Sequence, residues 1–337
     1  MDLITIAIPV YNAGKYLEIA LLSALNQTYK NIEFLIVYDK STDNSLEIIK
    51  TILDTHPRKE SVRIIEGPVN IGGIGGARNA AIEEAKGKYF FFMDADDEIT
   101  PDCIDVLYKS MSEEPVDFVN ASIETKDRNG NTIEQLIYKN KHFTSSKEIV
   151  CDYYMHKKRS STVWNKLYDL SFLRRNNILC LHSYMHEDNL FIFQLILNAC
   201  SCNYISDITY YYYDTPDSLN KESDNNRVSE KYALQYIDSI DFKRKYIQNY
   251  SDVKIRESVL RFIIFQTIYY AVLIKNSIIL NDTEKKLYLK QLIIFPFKVS
   301  ESIKFQKTLF FYIMYIIYAM PFASTCFRFI RYLSSKK

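Results

Sequence analysis

Tyr89-Phe90-Phe91-Phe92-Met93, followed at once by Asp94-Ala95-Asp96-Asp97, decides how this chain is read. An unbroken apolar run of that length reads as a buried strand, and it ends in a loop carrying three carboxylates. Ligands of open α/β sheets collect at the carboxyl ends of strands, so chemistry is expected here. Aspartates at i and i+2 can present oxygens to one hard divalent cation, which in turn can hold a diphosphate. A plainer reading stays open. Asp and Pro are good helix-start residues, and the loop could simply cap a helix beginning near Pro101.

Upstream of that loop, strand-like and helix-like segments alternate. Residues 4–8 read as a buried strand closed by Pro9, and 15–26 carry Leu and Ile at helical spacing. Residues 32–37 form the next strand, and a helix runs from Asp43, a plausible N-cap, to about Thr55. A short strand over 62–65 and an alanine-rich helix over 74–86, ended by Gly87, complete the series. Repeated βα units imply an α/β fold with a mostly parallel sheet, right-handed crossovers and flanking helices.

Downstream, 116–123 and a hairpin turning at Asn129-Gly130 add strands. Helices are expected over 145–156, 169–176 and 187–199, and a strand over 204–213. The polar segment 214–226 is the expected domain boundary, dividing residues 1–220 from a helical region 221–337. Long helices follow over 228–276, and no period of 20–50 residues repeats.

The 337 residues leave room for one large or two ordinary domains. A net charge of +1 gives no global field, so nucleic acid is not the expected partner. The six cysteines are scattered, and Cys200-Ser201-Cys202 has the wrong spacing for a zinc or redox pair. They read as free thiols in a reducing, cytoplasmic compartment. Met1 to Thr5 already has a strand pattern without a basic n-region, so no secretory signal is expected. Residues 308–327 carry no charge and are flanked by Lys304, Lys307, Arg328, Arg331, Lys336 and Lys337. Pro321 and the tyrosines disfavour a spanning helix. Peripheral contact of 300–337 with the inner face of the cell membrane is the expectation, with ordinary packing as its rival.

Four loops follow the first four strands, and a parallel sheet brings such loops to one edge. Tyr11 in Pro9-Val10-Tyr11-Asn12 could stack on a base, or be a half-buried loop tyrosine. Asp39 could accept from a base N–H, or serve its own turn. Arg78 enters a helix from a glycine-rich loop, which suits phosphate or base recognition as well as a solvated helix arginine. Gly72-Gly73-Ile74-Gly75-Gly76 lacks the Gly-Lys-Ser/Thr ending of a P-loop and follows the third strand, where no Rossmann fingerprint belongs. His182 and His186 stand one helical turn apart before Glu187-Asp188, but no third zinc ligand is evident.

In this order the motifs resemble the family 2 glycosyltransferases, enzymes of the GT-A nucleotide-diphospho-sugar transferase fold. The matching text is Ile6-Ala7-Ile8-Pro9-Val10-Tyr11-Asn12, Leu25 through Glu33, Asp39-Lys40-Ser41-Thr42-Asp43-Asn44-Ser45, Ala77-Arg78-Asn79, and Ala85 through Tyr89 leading into Asp94-Ala95-Asp96-Asp97. Val163-Trp164-Asn165-Lys166-Leu167-Tyr168, Glu187-Asp188 and 210–218 also look like this family, so the resemblance covers about residues 3–220. It implies an inverting transferase that moves a sugar from a nucleotide-sugar, most often a UDP-sugar, to a glycan or lipid-linked acceptor in surface polysaccharide synthesis. It also implies site roles. Pro9, Tyr11, Asp39 and Arg78 would bind the nucleotide, Asp94 would face the ribose and sugar, and Asp96 of the DxD motif would bind Mn²⁺ or Mg²⁺. Asp188 would be the general base. Trp164, Asn165, Lys166, His186 and Glu187 would lie on the acceptor side. Tyr38 and Lys40 depart from the Asp or Asn and the Gly usual beside Asp39, which bears on donor choice. The rival readings are a nucleotidyltransferase, which would need a basic signature after the first strand, and a non-catalytic sugar-nucleotide-binding protein.

Overall fold

The computed structural model describes residues 1–66, 73–155, 160–181, 187–214, 227–248 and 250–292. His182, His186, the boundary segment 215–226 and the apolar 308–327 lie outside the described residues. The chain divides into two compact units, Met1–Ile149 with Lys158–Thr215, and Val150–Lys157 with Pro216–Lys337.

The first unit is built on a mixed sheet. Strands β1 (Ile4–Val10), β2 (Ile32–Tyr38), β3 (Val62–Glu66) and β4 (Tyr89–Phe92) lie parallel in the order β3-β2-β1-β4, as the βα alternation requires. Helices α1 (Leu17–Leu25), α2 (Ser45–Thr55) and α3 (Gly73–Glu84) connect them. Phe90, Phe91 and Phe92 are wholly buried, each worth roughly 1.5–3 kcal/mol of transfer free energy. Their bulk fixes β4 as the spine of the unit.

Beyond β4 the sheet turns mixed. The remaining elements are β5 (Glu98–Ile99), α4 (Cys103–Glu113), β6 (Phe118–Lys126), β7 (Thr132–Leu136), β8 (Lys141–Phe143), α5 (Ser146–Met155, which belongs to the second unit from Val150 on), β9 (Lys166–Asp169), α6 (Leu170–Arg175), α7 (Glu187–Asn198) and β10 (Cys202–Tyr213). Strand β9 runs antiparallel to β4 on one side and β6 on the other, pairing Leu167 with Phe91 and Lys166 with Asn120. An antiparallel strand enters where its neighbour leaves. The residues just before β9 therefore stand at the carboxyl end of β4, beside the acidic loop. Strand β10 lies parallel to β6 and antiparallel to β5, and so carries its tyrosines past the far end of that loop.

Local details depart from the sequence expectation. Strand β1 continues through Pro9, which pairs with Val37, because the β4 side of the ladder ends at Ala7 and needs no N–H from Pro9. Asp43 is not the N-cap. Helix α2 starts at Ser45, and Asp43 Oδ1 accepts from Ser45 N while its Oδ2 accepts from Gly14 N at 2.8 Å. Gly87 does not cap α3, which ends at Glu84; a Cβ there would come within 2.6 Å of Thr5 N, so the position demands glycine for close packing on β1.

The second unit is helical, with α8 (Glu230–Ile247), α9 (Val253–Asn276) and α10 (Asp282–Leu292). Helix α9 is long and apolar enough to cross a membrane by length and composition, yet half of that window is buried in the structure. Tyr236 of α8 and Tyr270 of α9 stack with centroids 4.2 Å apart.

Candidate active site

The loops after β1 and β2 are laced together. Asn12 Oδ1 accepts from Thr42 N at 2.8 Å, and Asn12 N donates to Ser41 Oγ at 3.0 Å. This lacing leaves the Tyr11 ring 62% exposed and Asp39 half-buried, its N–H given to Val10 O. Pro9 is buried in β1 beneath them. Lys40, at a position where the family usually carries glycine, has φ of +43°, a left-handed conformation that costs a non-glycine residue roughly 1–2 kcal/mol. Asn12 is a residue whose structural part the sequence pattern did not announce.

Arg78 is the centre of the site. It lies on α3, only 2% exposed, and one guanidinium meets three carboxylates. Nη2 donates to Asp94 Oδ1 at 2.8 Å, Nη1 to Glu187 Oε1 at 2.7 Å, and Nη1 also to Asp188 Oδ1. Burial works against its charge, but Asp188, Asp94 and Glu187 together outweigh burial and hold Arg78 firmly protonated. The sequence resemblance aims Arg78 at the nucleotide; in this structure its two terminal nitrogens face carboxylates instead. Gly75, one turn before it, brings α3 against 180–181, where a Cβ would sit 2.9 Å from Leu181 O. That close approach sets the start of α7 beside Arg78.

The carboxylates differ in environment. Burial, together with Asp188, pushes Asp94 above the usual carboxylate range, while Arg78 pulls it back. Burial first, then repulsion from Asp188, pushes Glu187 up to about 7. Three carboxylates around one cation cannot all ionise cheaply, so crowding raises Glu187 and Asp94 while the shared Arg78 charge opposes it. Asp188 Oδ2 accepts from Val163 N at 3.2 Å, so the base candidate is held from two sides.

The four-residue acidic loop divides its labour. Asp97 is 1% exposed and accepts from Tyr210 Oη and Tyr213 N, both at 2.9 Å, which ties the loop to β10. Tyr210 Oη also accepts from Asp94 N at 3.2 Å. Arg128, at the β6–β7 turn, donates to Asp96 O at 2.9 Å with its guanidinium 3.6 Å above the Tyr16 ring. Arg128 carries no signal in the sequence, and Tyr210 only opens the family-like stretch 210–218 with no role attached to it. Asp96 keeps its side chain 45% exposed, with Arg128 Nη2 at 3.7 Å, outside hydrogen-bond range.

A divalent ion fits this arrangement. No group of three or more His, Cys, Asp or Glu side chains among the described residues is placed to hold a metal ion by itself. Mg²⁺ and Mn²⁺ at diphosphates do not need one, because one or two carboxylates plus phosphate oxygens and water complete the shell. Asp96 is the carboxylate of the loop left open for that task, since Asp94 is paired with Arg78 and Asp97 with tyrosines.

The residues that the resemblance would put on the acceptor side resolve into separate structural tasks. Trp164 is almost buried and stacks on Tyr210 at 4.4 Å and Tyr212 at 5.6 Å. Asn165, at φ +58°, donates to Ala121 O and Ser122 O and accepts from Thr209 Oγ1, so it pins the turn to β6 and β10. Lys166 is 3% exposed, its Nζ 2.7 Å from Thr162 O. Burial holds it down to about 7, with Asp188 opposing.

Comparison with known proteins bears on the family and the fold. Residues 5–176 match the profile described as glycosyl transferase family 2. The chain is 31% identical to the hyaluronan synthase of Pasteurella multocida over 295 residues, 77% of this chain but 29% of that protein, so it spans less than a third of this relative's length. Among solved structures, S. aureus TarS 1–349 in complex with UDP-GlcNAc matches with TM-score 0.56 and 22% identity, over 90% of this chain and 73% of that one. The mannosyltransferase PcManGT from Pyrobaculum calidifontis, in complex with GDP-Man and Mn²⁺, matches with TM-score 0.53 and 13% identity, over 94% and 86%. These two likenesses establish the GT-A fold. With the profile matching half of its length, the chain belongs to glycosyl transferase family 2.

Proposed function

We propose that the protein is an inverting glycosyltransferase that moves a sugar from a nucleotide-sugar, a UDP-sugar first among candidates, to a hydroxyl of a glycan or lipid-linked acceptor. The observation that carries the reading is the Arg78 guanidinium, which joins Asp94 at the end of β4 to Asp188 at the start of α7. Donor-side and acceptor-side carboxylates thereby share one cation. The family relatives and the UDP-GlcNAc and GDP-Man bound to the structural neighbours support the donor class.

In this reading Tyr11 and Asp39 take the base, with Pro9 shaping the floor, and Asp94 faces the ribose and sugar. Mn²⁺ or Mg²⁺ held at Asp96 would supply positive charge to offset that growing on the departing diphosphate. Asp188 accepts the proton of the acceptor hydroxyl as its oxygen attacks the anomeric carbon, and the bond to the diphosphate breaks on the opposite face. Arg78 contributes by fixing Asp188 and Asp94 rather than by leaving the cluster. Trp164, Asn165, Lys166, Glu187 and His186 frame the acceptor side. We assign catalysis to residues 1–220. For 221–337 we assign a helical extension that touches the cytoplasmic membrane face through 300–337, on the strength of the basic-flanked apolar stretch in the sequence.

The test is a donor screen reading UDP or GDP release across nucleotide-sugars, with and without Mn²⁺. Release that needs both metal and acceptor supports the reading. Pyrophosphate release would instead reveal a nucleotidyltransferase, and tight UDP binding without turnover a non-catalytic binder. Asp188→Asn should lower transfer at least about a hundredfold while sparing UDP binding; full activity in that variant removes the base assignment.

A further inference from the structure

The turn before β9 contains a relay. Lys166 Nζ donates to Thr162 O at 2.7 Å, and Val163 N donates to Asp188 Oδ2 at 3.2 Å. Thr162 O and Val163 N belong to the same peptide group. The ammonium therefore grips one end of a peptide whose other end grips the carboxylate. Hydrogen bonds in series polarise one another, so a cation on the carbonyl makes the N–H a stronger donor.

Other features make this more than a tight turn. Lys166 Nζ also lies 3.4 Å from Trp164 O, and Tyr168 Oη donates to the carbonyl between them, Val163 O, at 2.6 Å. The Asn165 side chain pins the turn to β6 and β10. The turn thus has anchors enough without a charge. A fully buried ammonium that meets only carbonyls is costly, and an apolar or amide side chain could fill the volume more cheaply. Against that burial, the negative charge of Asp188 favours the ammonium.

We propose that Lys166 is a positioning residue for Asp188, acting through the Thr162–Val163 peptide to orient its carboxylate and strengthen the hydrogen bond that it accepts. This rests on the reading of Asp188 as the base, and the two fail differently. Among the described residues the titratable and charged groups around Asp188 are Arg78 from α3, Asp94 from the β4 loop, Glu187 from α7, Lys166 and Tyr168 from β9, and Cys180 from the segment before α7. Arg78 holds Oδ1 and the relay holds Oδ2, so each oxygen has its own donor.

The experiment compares Lys166→Met and Lys166→Gln with the parent in the full chain, measuring kcat, donor KM and the pH profile of kcat. Lys166→Met should lower kcat by roughly tenfold at neutral pH, leave donor KM within about twofold, and move the acid limb of the kcat profile to higher pH. Lys166→Gln can still donate to Thr162 O but carries no charge. It should keep the parent's melting temperature and still show the displaced acid limb. A Gln variant with parental kcat and an unmoved limb overturns the proposal, even should the Met variant fail to fold. Asp188→Asn separates the two readings. If it is inactive while both Lys166 variants behave as parent, only the relay fails. If Asp188→Asn is fully active, the base assignment itself is wrong. On the Asp188→Asn background, Lys166→Met should lower transfer almost no further, whereas additive losses would show that Lys166 acts elsewhere.

Discussion

Lys166 in the sheet unit and Lys243 in the helical unit are both shielded from water, at 3% and 0% exposure, and burial pulls each down to about 7. Their surroundings differ. Lys166 donates to backbone carbonyls one peptide away from a carboxylate that stands beside Arg78. Lys243 of α8 donates to Ser239 Oγ at 3.2 Å in its own helix and to Gln266 Oε1 at 2.7 Å on α9. Its neighbour Arg244 donates to Leu292 O at the end of α10. In the helical unit buried cations stitch helices; in the sheet unit they surround groups able to exchange protons with a ligand. Depressed basicity alone therefore does not mark a site. The group one bond further out does.

The strongest way to break that contrast is Arg78→Met. It strands Asp94, Glu187 and Asp188 without their cation, and should abolish transfer and cost roughly 3–5 kcal/mol in chemical denaturation. A variant as stable as the parent would show that α7 is held to the sheet by something else.

Lys243→Met probes the other side and should leave kcat unchanged. Its stability effect should depend on pH. The folded pKa of Lys243 lies below its usual 10.5, so between about 7 and 10.5 the unfolded chain binds more protons and parental stability rises with pH. Relative to the parent, the variant should therefore melt higher at pH 7 than it does at pH 9.5. Equal differences at both values would mean that Lys243 carries no such cost.

The smallest effect belongs to the exposed end of the sheet unit. Tyr11→Leu should not alter the melting temperature, and should raise donor KM about three- to tenfold through loss of base stacking. An unchanged KM would take the base away from that loop.

Much of the sheet unit was legible because β4 is an unbroken apolar run, β1 and β2 are apolar but for Thr5 and Glu33, and α7 opens on an acidic pair at a glycosyltransferase-like spacing. Other parts were not. Strands β5, β8 and β9 have two, three and four residues, too short for a period to show. Helix α10, polar on average, fell inside the expected helical region but without bounds of its own, because only the buried Tyr288 and Leu292 mark its inner face. Gly87 looked like a helix stop because chain neighbours are all a sequence displays; the atom it must avoid, Thr5 N, is more than eighty residues away. The same limit applies to Arg78. Its helix and loop could be read, but nothing local says that its partners are carboxylates rather than a ligand.

The separation of Arg78 from Glu187 along the chain, 109 residues, carries a cost during synthesis. A ribosome adding about 5–20 residues per second leaves that arginine roughly 5–20 s without two of its three counter-charges. Asp94 alone must accompany it through that interval. A fragment ended at residue 176, where the family profile stops, would remain in that condition permanently, with the loops after β1, β2 and β4 made and an under-neutralised cation in its interior.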